Sequence, residues 1–373
     1  MKKTRDKFTI ALACLSILAV SGCVTTEKDP NELVVVSWGG TYSISQQKAY
    51  AEPFNKTKPE LDINLILGSE TALRSLRRQM DRNNIKWDVV DMIHDTAKVA
   101  CEEGLLEEID IDKDLAPALD GTPASQDFYK LLFSDHRDKN CFAPLISYSV
   151  HFAYPTNQWG NSKPENISDV FNLKKFPGKR GLEKTPFNNM EWALLADGVP
   201  MDKVYEVLST DEGQKRAFSK LDTIKDSIIW WDAGIEPIHF IRKQQVSITS
   251  IYNGRSYEAE LKHNLDISLL WDWQALGVDG WVIPKGTPNL KIAKEFVRFS
   301  SNTSQLAKQA SYIAYGPARR SSLPLVGNHY DNGHDMRPYM TTSPERMLHA
   351  FVPNPAWWEK NGDRMERLFK EWL

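Results

Sequence analysis

The sequence predicts an α/β fold built as two lobes. Strand and helix patterns alternate from residue 32 onwards, which points to a mostly parallel sheet with helices on both faces. The 373 residues, 41% hydrophobic and 25% charged, have ordinary globular composition and a length that suggests two domains. The second half has no obvious linker of its own, so the two lobes are expected to share several chain crossings.

Taken in order, residues 1–22 begin with Lys2, Lys3, Arg5 and Lys7 and continue through the largely apolar FTIALACLSILAV to small residues. That is the build of a secretion signal, too short to span a bilayer as a helix. It runs into Val20-Ser21-Gly22-Cys23, which resembles the bacterial lipobox. Cys23 is therefore expected to carry lipid and anchor an exported, periplasmic protein to the membrane; plain cleavage after Gly22 is the alternative. Residues 23–31 read as the lipidated tether. ELVVVS (32–37) is a strand, and 43–56 a helix with Ala49, Ala51 and Phe54 inward. LDINLIL (61–67) is a strand, and 70–83 is helical through Leu73, Leu76 and Met80. WDVVDMI (87–93) is a third strand, followed by a helix that stops at Gly104. From 107 to 140 the pattern loosens into acidic connections. CFAPLISYSVHFAYP (141–155) is a β-type run of unusual length. FPGKRGL (176–182) resets the chain, and helix, strand and helix follow through 273. VDGWVIPKG (278–286) is strand-like, 289–302 and 304–312 are helical, and 359–372 is an amphipathic helix.

Export governs how the cysteines are read. Cys14 leaves with the signal and Cys23 takes the lipid, so Cys101 and Cys141 remain as a pair. In an oxidising compartment they read as a disulfide, with two buried thiols as the alternative. Closing a loop of about 40 residues would stabilise the fold by roughly 4 kcal/mol in the chain-entropy model.

The bulk charge of −3 gives no sign of nucleic-acid binding. The sequence holds no nucleophile elbow, no H-E-x-x-H and no Walker lysine, and no carboxylate pair identifies itself as an acid/base couple. HYDNGHD (329–335) has metal-ligand residue types but sits in a Gly/Asn-rich loop, and neither a metal nor a cofactor is expected. The informative excess is aromatic: twelve Trp, several of them at element ends. Most are core. Trp38 is different, because Gly39-Gly40 after a strand puts it at a C-terminal sheet edge, where open α/β folds bind ligands. A flat ring there, with no lysine, suits a cation, a sugar or an apolar body rather than a phosphate.

The strand–Trp–Gly–Gly start, WDVVDMIHDTAKVACEEGLLEEID (87–110), FPGKRGLEKTPFNNMEWALLADGVPMDKVYEVL (176–208), KLDTIKDSIIWWDAG (220–234), IYNGRSYEAEL (251–261), GWVIPKGTPNLKIAKEFVRF (280–299) and YGPARR (315–320) together resemble the extracellular solute-binding proteins of ABC importers, in the spermidine/putrescine-binding branch. The resemblance implies a periplasmic-binding-protein-like fold of the second type, with mixed and parallel sheets and an interlobe cleft that closes by a hinge. It places residues 32–149 and 279–324 in one lobe and 150–278 and 325–373 in the other. It implies an ABC permease and ATPase as partners, a monomer, and no catalysis. Carried over residue by residue, it suggests a ligand site of Trp38, Thr41, Tyr42, His94, Tyr252, Arg255, Asp279, Tyr315 and Trp358. Asn188, Asn189 and Glu191 match the family's acidic positions only loosely. A long polyamine needs an anion at each end, since a buried ammonium without one costs several kcal/mol. Asp279 supplies one. Arg255 could bind a ligand carboxylate in a bidentate fork or form a surface salt bridge. The sequence thus favours a polyamine or related small cation, with an amino-acid-like zwitterion or a sugar as the alternative. An exported enzyme on the same fold would need an acid/base couple or nucleophile that the sequence does not offer.

Overall fold

Two long antiparallel strands organise the molecule, β4 (Ala143–Pro155) and β8 (Ile267–Val282). In this computed structural model, which describes Asp29, residues 31–132 and residues 140–373, they pair along almost their whole length. The signal segment, Cys23 and nearly all of the tether lie outside the described residues. On one side of the pair stand β1 (Glu32–Ser37), β2 (Asp62–Leu67) and β3 (Val89–Ile93), mutually parallel. On the other stand β5 (Arg180–Glu183), β6 (Ile228–Trp231) and β7 (Ile248–Tyr252), also parallel. The strand order is β2-β1-β3-β8-β4-β7-β5-β6; β9 (Gly316–Pro317) adds to β4 and β10 (Ala350–Phe351) to β8. The sheet is therefore mixed, because β8 meets β3 and β4 meets β7 antiparallel.

Two main apolar cores flank the long pair. The first packs Leu33, Val35, Val89 and Phe142 with Val278 and Trp281; the second packs Val150, Phe152, Trp192 and Leu194 with Leu270 and Ala275. β4 and β8 thus pass from one core into the other. They do so across an irregularity: Val150 pairs with Ala275 but Phe152 with Leu270, so residues 271–274 loop out of register, with Trp273 left-handed at φ 55°. β10 makes a third crossing, its Ala350 in the first core and Phe351 in the second.

The first strands form where β-branched runs can be buried on both faces; Leu33, Val35 and Val36 are wholly inaccessible. The helix expected over 43–56 starts earlier, at Gly40, and runs through a π-type segment, Gln47–Ala51, to Thr57. The C-terminal helix, Pro355–Trp372, also starts before the apolar periodicity does. Asn354 caps it by accepting from the Trp357 N–H, and Pro355 occupies a first-turn position where no N–H is needed. Cys101 and Cys141 form a disulfide, with Cα atoms 5.9 Å apart, that ties the helix His94–Glu102 to the chain entering β4.

Candidate functional site

The C-terminal ends of β1 and β7 meet the β4/β8 crossing, and four tyrosines gather there. Tyr42 comes from the helix after β1, Tyr148 from β4, Tyr252 from the end of β7 and Tyr315 from the turn before β9. Their rings lie 6.2 Å (Tyr42–Tyr315), 6.0 Å (Tyr148–Tyr315) and 6.4 Å (Tyr148–Tyr252) apart. Glycine makes the approach possible at two places. A Cβ on Gly277 would fall 2.0 Å from the Tyr148 ring, and one on Gly254 would fall 3.2 Å from Tyr315. Asn253 pins three of the segments together: its side-chain oxygen accepts from the Ser149 N–H at 3.0 Å, and its NH₂ donates to the Ala314 carbonyl.

Asp279, on β8, is buried next to three of these rings, Tyr42, Tyr148 and Tyr315. It is 4% exposed, and no side-chain hydrogen bond reaches its carboxylate among the described residues. Burial holds its carboxyl well above the usual carboxylate range, and Asp91 pushes it further. Its charge in turn bears on Tyr42, Tyr148 and Tyr315. Asp91 is equally buried but richly served. It accepts from the Tyr42 hydroxyl at 2.8 Å, from the Trp38 indole N–H at 3.3 Å and from the Gln46 amide.

Two hollows adjoin the tyrosines and share Tyr252. The larger, about 670 Å³, is bordered by Thr41, Tyr42, Tyr315, Arg255, Tyr257 and Lys262 among others. Arg255 is half exposed there and paired with Glu258 at 2.5 Å. It acts on Tyr315 from one direction of charge while Asp279 acts from the other. The smaller, about 310 Å³, is bordered by His94, Asp95, Tyr148, Glu183, Thr185 and Phe187. Glu183 is pushed up to about 7 by burial and then by Asp232.

Of the residues expected from sequence, Thr41, Tyr42, Tyr252, Arg255 and Tyr315 border the larger hollow and His94 the smaller, while Asp279 borders neither and is buried behind the tyrosines it acts on. Trp38 lies apart from Tyr252. Its N–H is turned to Asp91, and its ring borders a separate hollow with Ser69, Leu73 and Thr96. Trp358 borders neither tyrosine-lined hollow. It donates to Glu191 at 2.7 Å and packs 5.1 Å from Phe187. Glu191 also accepts from Tyr205 at 2.8 Å and is directed into the second core. Asp91, Tyr148, Glu183 and Asn253 were not anticipated from sequence. Asp91 and Tyr148 sit in strand runs that read simply as core, and Glu183 follows FPGKRGL, which read only as a reset of the chain. Asn253 did carry a signal, as the Asn-Gly directly after an aromatic. Among the described residues no group of His, Cys, Asp and Glu could hold a metal ion.

A family model for bacterial extracellular solute-binding proteins matches residues 49–333. The chain belongs to that family. It is the substrate-binding component of an ABC importer, acting on the periplasmic or extracellular side, and its relatives bind solutes rather than catalyse. It is 29% identical to the gamma-aminobutyric acid-binding protein of Pseudomonas aeruginosa over 372 residues, all of this chain and 99% of the relative. Among solved structures, a GABA receptor is 28% identical with a TM-score of 0.71, over 92% of this chain and 97% of that one. The MotA binding protein of A. tumefaciens B6, solved with glucopine, is 26% identical with a TM-score of 0.67, over 91% and 99%. The spermidine/putrescine-binding protein of Streptococcus pneumoniae, 15% identical with a TM-score of 0.70 over 92% and 99%, shares the fold. Among the described residues no helix is long and apolar enough to cross a membrane.

Proposed function

We propose that this importer component captures a small solute carrying one amine and one carboxylate, of the γ-aminobutyrate kind. The observation that carries the reading is the Arg255 guanidinium on the wall of the hollow that Tyr42, Tyr252 and Tyr315 border, with the buried Asp279 carboxyl acting on Tyr42 and Tyr315 from the core side. An ammonium placed at Asp279 would be enclosed by tyrosine faces, each adding cation–π attraction of about 0.5–2 kcal/mol and keeping water out. A carboxylate on the same ligand could reach Arg255 if Glu258 yields its hold. The full-length relatedness to a GABA-binding protein supports this amino-acid-like alternative over the polyamine that the sequence favoured. In this reading the lobes 32–149 with 279–324 and 150–278 with 325–373 close over the ligand by bending where β4 and β8 lose register.

One observation keeps a diamine in view as the second reading. Glu183, on the far side of Tyr252, offers the second anion that a long polyamine needs. A thermal-shift panel separates the two, because a ligand at 100 times its dissociation constant adds about 2.7 kcal/mol. The zwitterion reading expects γ-aminobutyrate and its chain-length neighbours to raise the melting temperature and putrescine to leave it nearly unchanged. Stabilisation by putrescine or spermidine alone would transfer the assignment to the diamine.

A further inference from the structure

Asp91 and Asp279 lie on the neighbouring strands β3 and β8, where Ile93 pairs with Asp279 and Asp91 with Trp281. That register is diagonal, so both carboxyls project from the same face of the sheet. Their surroundings differ sharply. Asp91 has three side-chain donors, from Tyr42, Trp38 and Gln46, while Asp279 is sealed among tyrosines with none. Two like charges this close in a water-poor site cannot both be ionised cheaply. The donors decide which one keeps the charge.

We propose that Asp91 is a charge-setting and positioning residue for ligand capture. Served by its three donors, it ionises first of the two and orients Tyr42, leaving Asp279 to carry a proton that the incoming ammonium displaces. The inference rests on the reading of Asp279 as the amine site given above. Burial raises both carboxyls, Asp91 only to about 7 because its donors oppose the rise and Asp279 well above the usual range, and Asp91 adds to the rise at Asp279. The groups facing Asp279 from the packed elements do not offer another home for the charge. Tyr42, Tyr148 and Tyr315 are all held above the ordinary tyrosine range by burial first. Arg255 acts on Tyr315 and is already paired with Glu258, while His94 and Asp95 stand on the Tyr148 side at the smaller hollow. In proton balance, protonated Asp279 plus a charged amine gives an ionised Asp279–ammonium pair plus one released proton. Affinity must then rise with pH, about tenfold per unit while Asp279 is protonated in the free protein and ionised in the complex.

The test is titration calorimetry of the whole mature protein with γ-aminobutyrate at pH 7, in buffers of different ionisation enthalpy. The expected result is close to one proton released per ligand bound, and a dissociation constant that falls about tenfold per unit between pH 6 and 8. Binding with no proton released, or with a pH-independent constant, overturns the inference while leaving the function standing. A panel of amines with no binder overturns the function itself. Asp279→Asn, measured at high ligand concentration, should release no proton, and undiminished release would contradict the assignment. Asp91→Asn should release less than half of the wild-type amount and show a flatter pH profile; wild-type release would remove Asp91 from the account. Should Asp91→Asn not fold, carboxyl ¹³C titration of the free wild-type protein decides the same point. A proton on Asp279 with Asp91 ionised supports the inference, and the reverse order overturns it.

Discussion

Asp279 and Glu191 are both carboxylates sealed inside the protein, and burial raises both, Glu191 to about 7. Their settings differ. Glu191 accepts from Tyr205 and Trp358, and the Tyr205 hydroxyl in turn accepts from the Asn354 N–H at the cap of the C-terminal helix. It is a strut inside the second core. Among the described residues Asp279 takes no side-chain hydrogen bond, and it acts on Tyr42, Tyr148 and Tyr315, rings that border the two hollows. The difference teaches that burial alone does not mark a binding carboxylate. What marks it is the hollow that borders its tyrosine neighbours, since Glu191 too keeps one buried oxygen, Oε2, without a partner.

Exchanging charge for an amide should separate the two most clearly. Asp279→Asn removes the partner of a buried ammonium and should weaken an amine ligand by about 3–5 kcal/mol, on the scale of breaking a buried ion pair. The melting temperature of the free protein should hardly move, because the free carboxyl is already neutral. Equal affinity in calorimetry would break the comparison at its functional end.

Glu191→Gln should do the opposite, leaving affinity alone and altering the pH dependence of stability. Glu191 keeps its proton to about pH 7 in the folded protein, and only to about 4.5, the ordinary value of a solvated glutamate, once the chain unfolds. The folded state therefore binds more protons between those values. The stability this group contributes is full below about pH 4.5 and is lost as pH rises through 7, by about 3 kcal/mol at most. Urea unfolding from pH 4.5 to 8 should show a decline in wild type that Glu191→Gln lacks. Parallel curves would remove Glu191 from the account.

Smaller effects sharpen the contrast. Tyr252→Ala, which strips the ring shared by both hollows, should cost roughly 1–3 kcal/mol of ligand affinity. Trp358→Phe, which removes a donor from Glu191, should cost about 1 kcal/mol of stability and no affinity. Arg255→Gln should weaken γ-aminobutyrate by about 1 kcal/mol, since the guanidinium is half exposed and already paired, and should not weaken putrescine. A loss of affinity in Trp358→Phe equal to that in Tyr252→Ala would merge two regions that the structure keeps apart.

The sequence disclosed the fold better than the site. Alternating patterns revealed β1, β2 and β3 with the helices between them, and the long apolar run 141–155 revealed β4. The antiparallel pairing of β4 with β8 was not legible, because register is set by partners far apart in the chain, and the mismatch at 271–274 leaves no periodic mark. Tyr42, Tyr252, Asp279 and Tyr315, which the structure brings near one another, were named through the turns that carry the family resemblance. Asp91 could not. In WDVVDMI it reads as one polar residue in a buried strand, and its importance comes only from the diagonal it forms with Asp279. Trp38 shows the converse: the glycine turn placed it at the correct sheet edge, but the Asp91 carboxylate draws its indole away from Tyr252.

A crystal structure of the protein with γ-aminobutyrate tests the central claim most directly. The ligand's ammonium is expected against Asp279, enclosed by Tyr42, Tyr148 and Tyr315, with its carboxylate directed to Arg255. An amine bound at Glu183 with Asp279 left untouched, or a ligand lying wholly outside the tyrosine group, would contradict it.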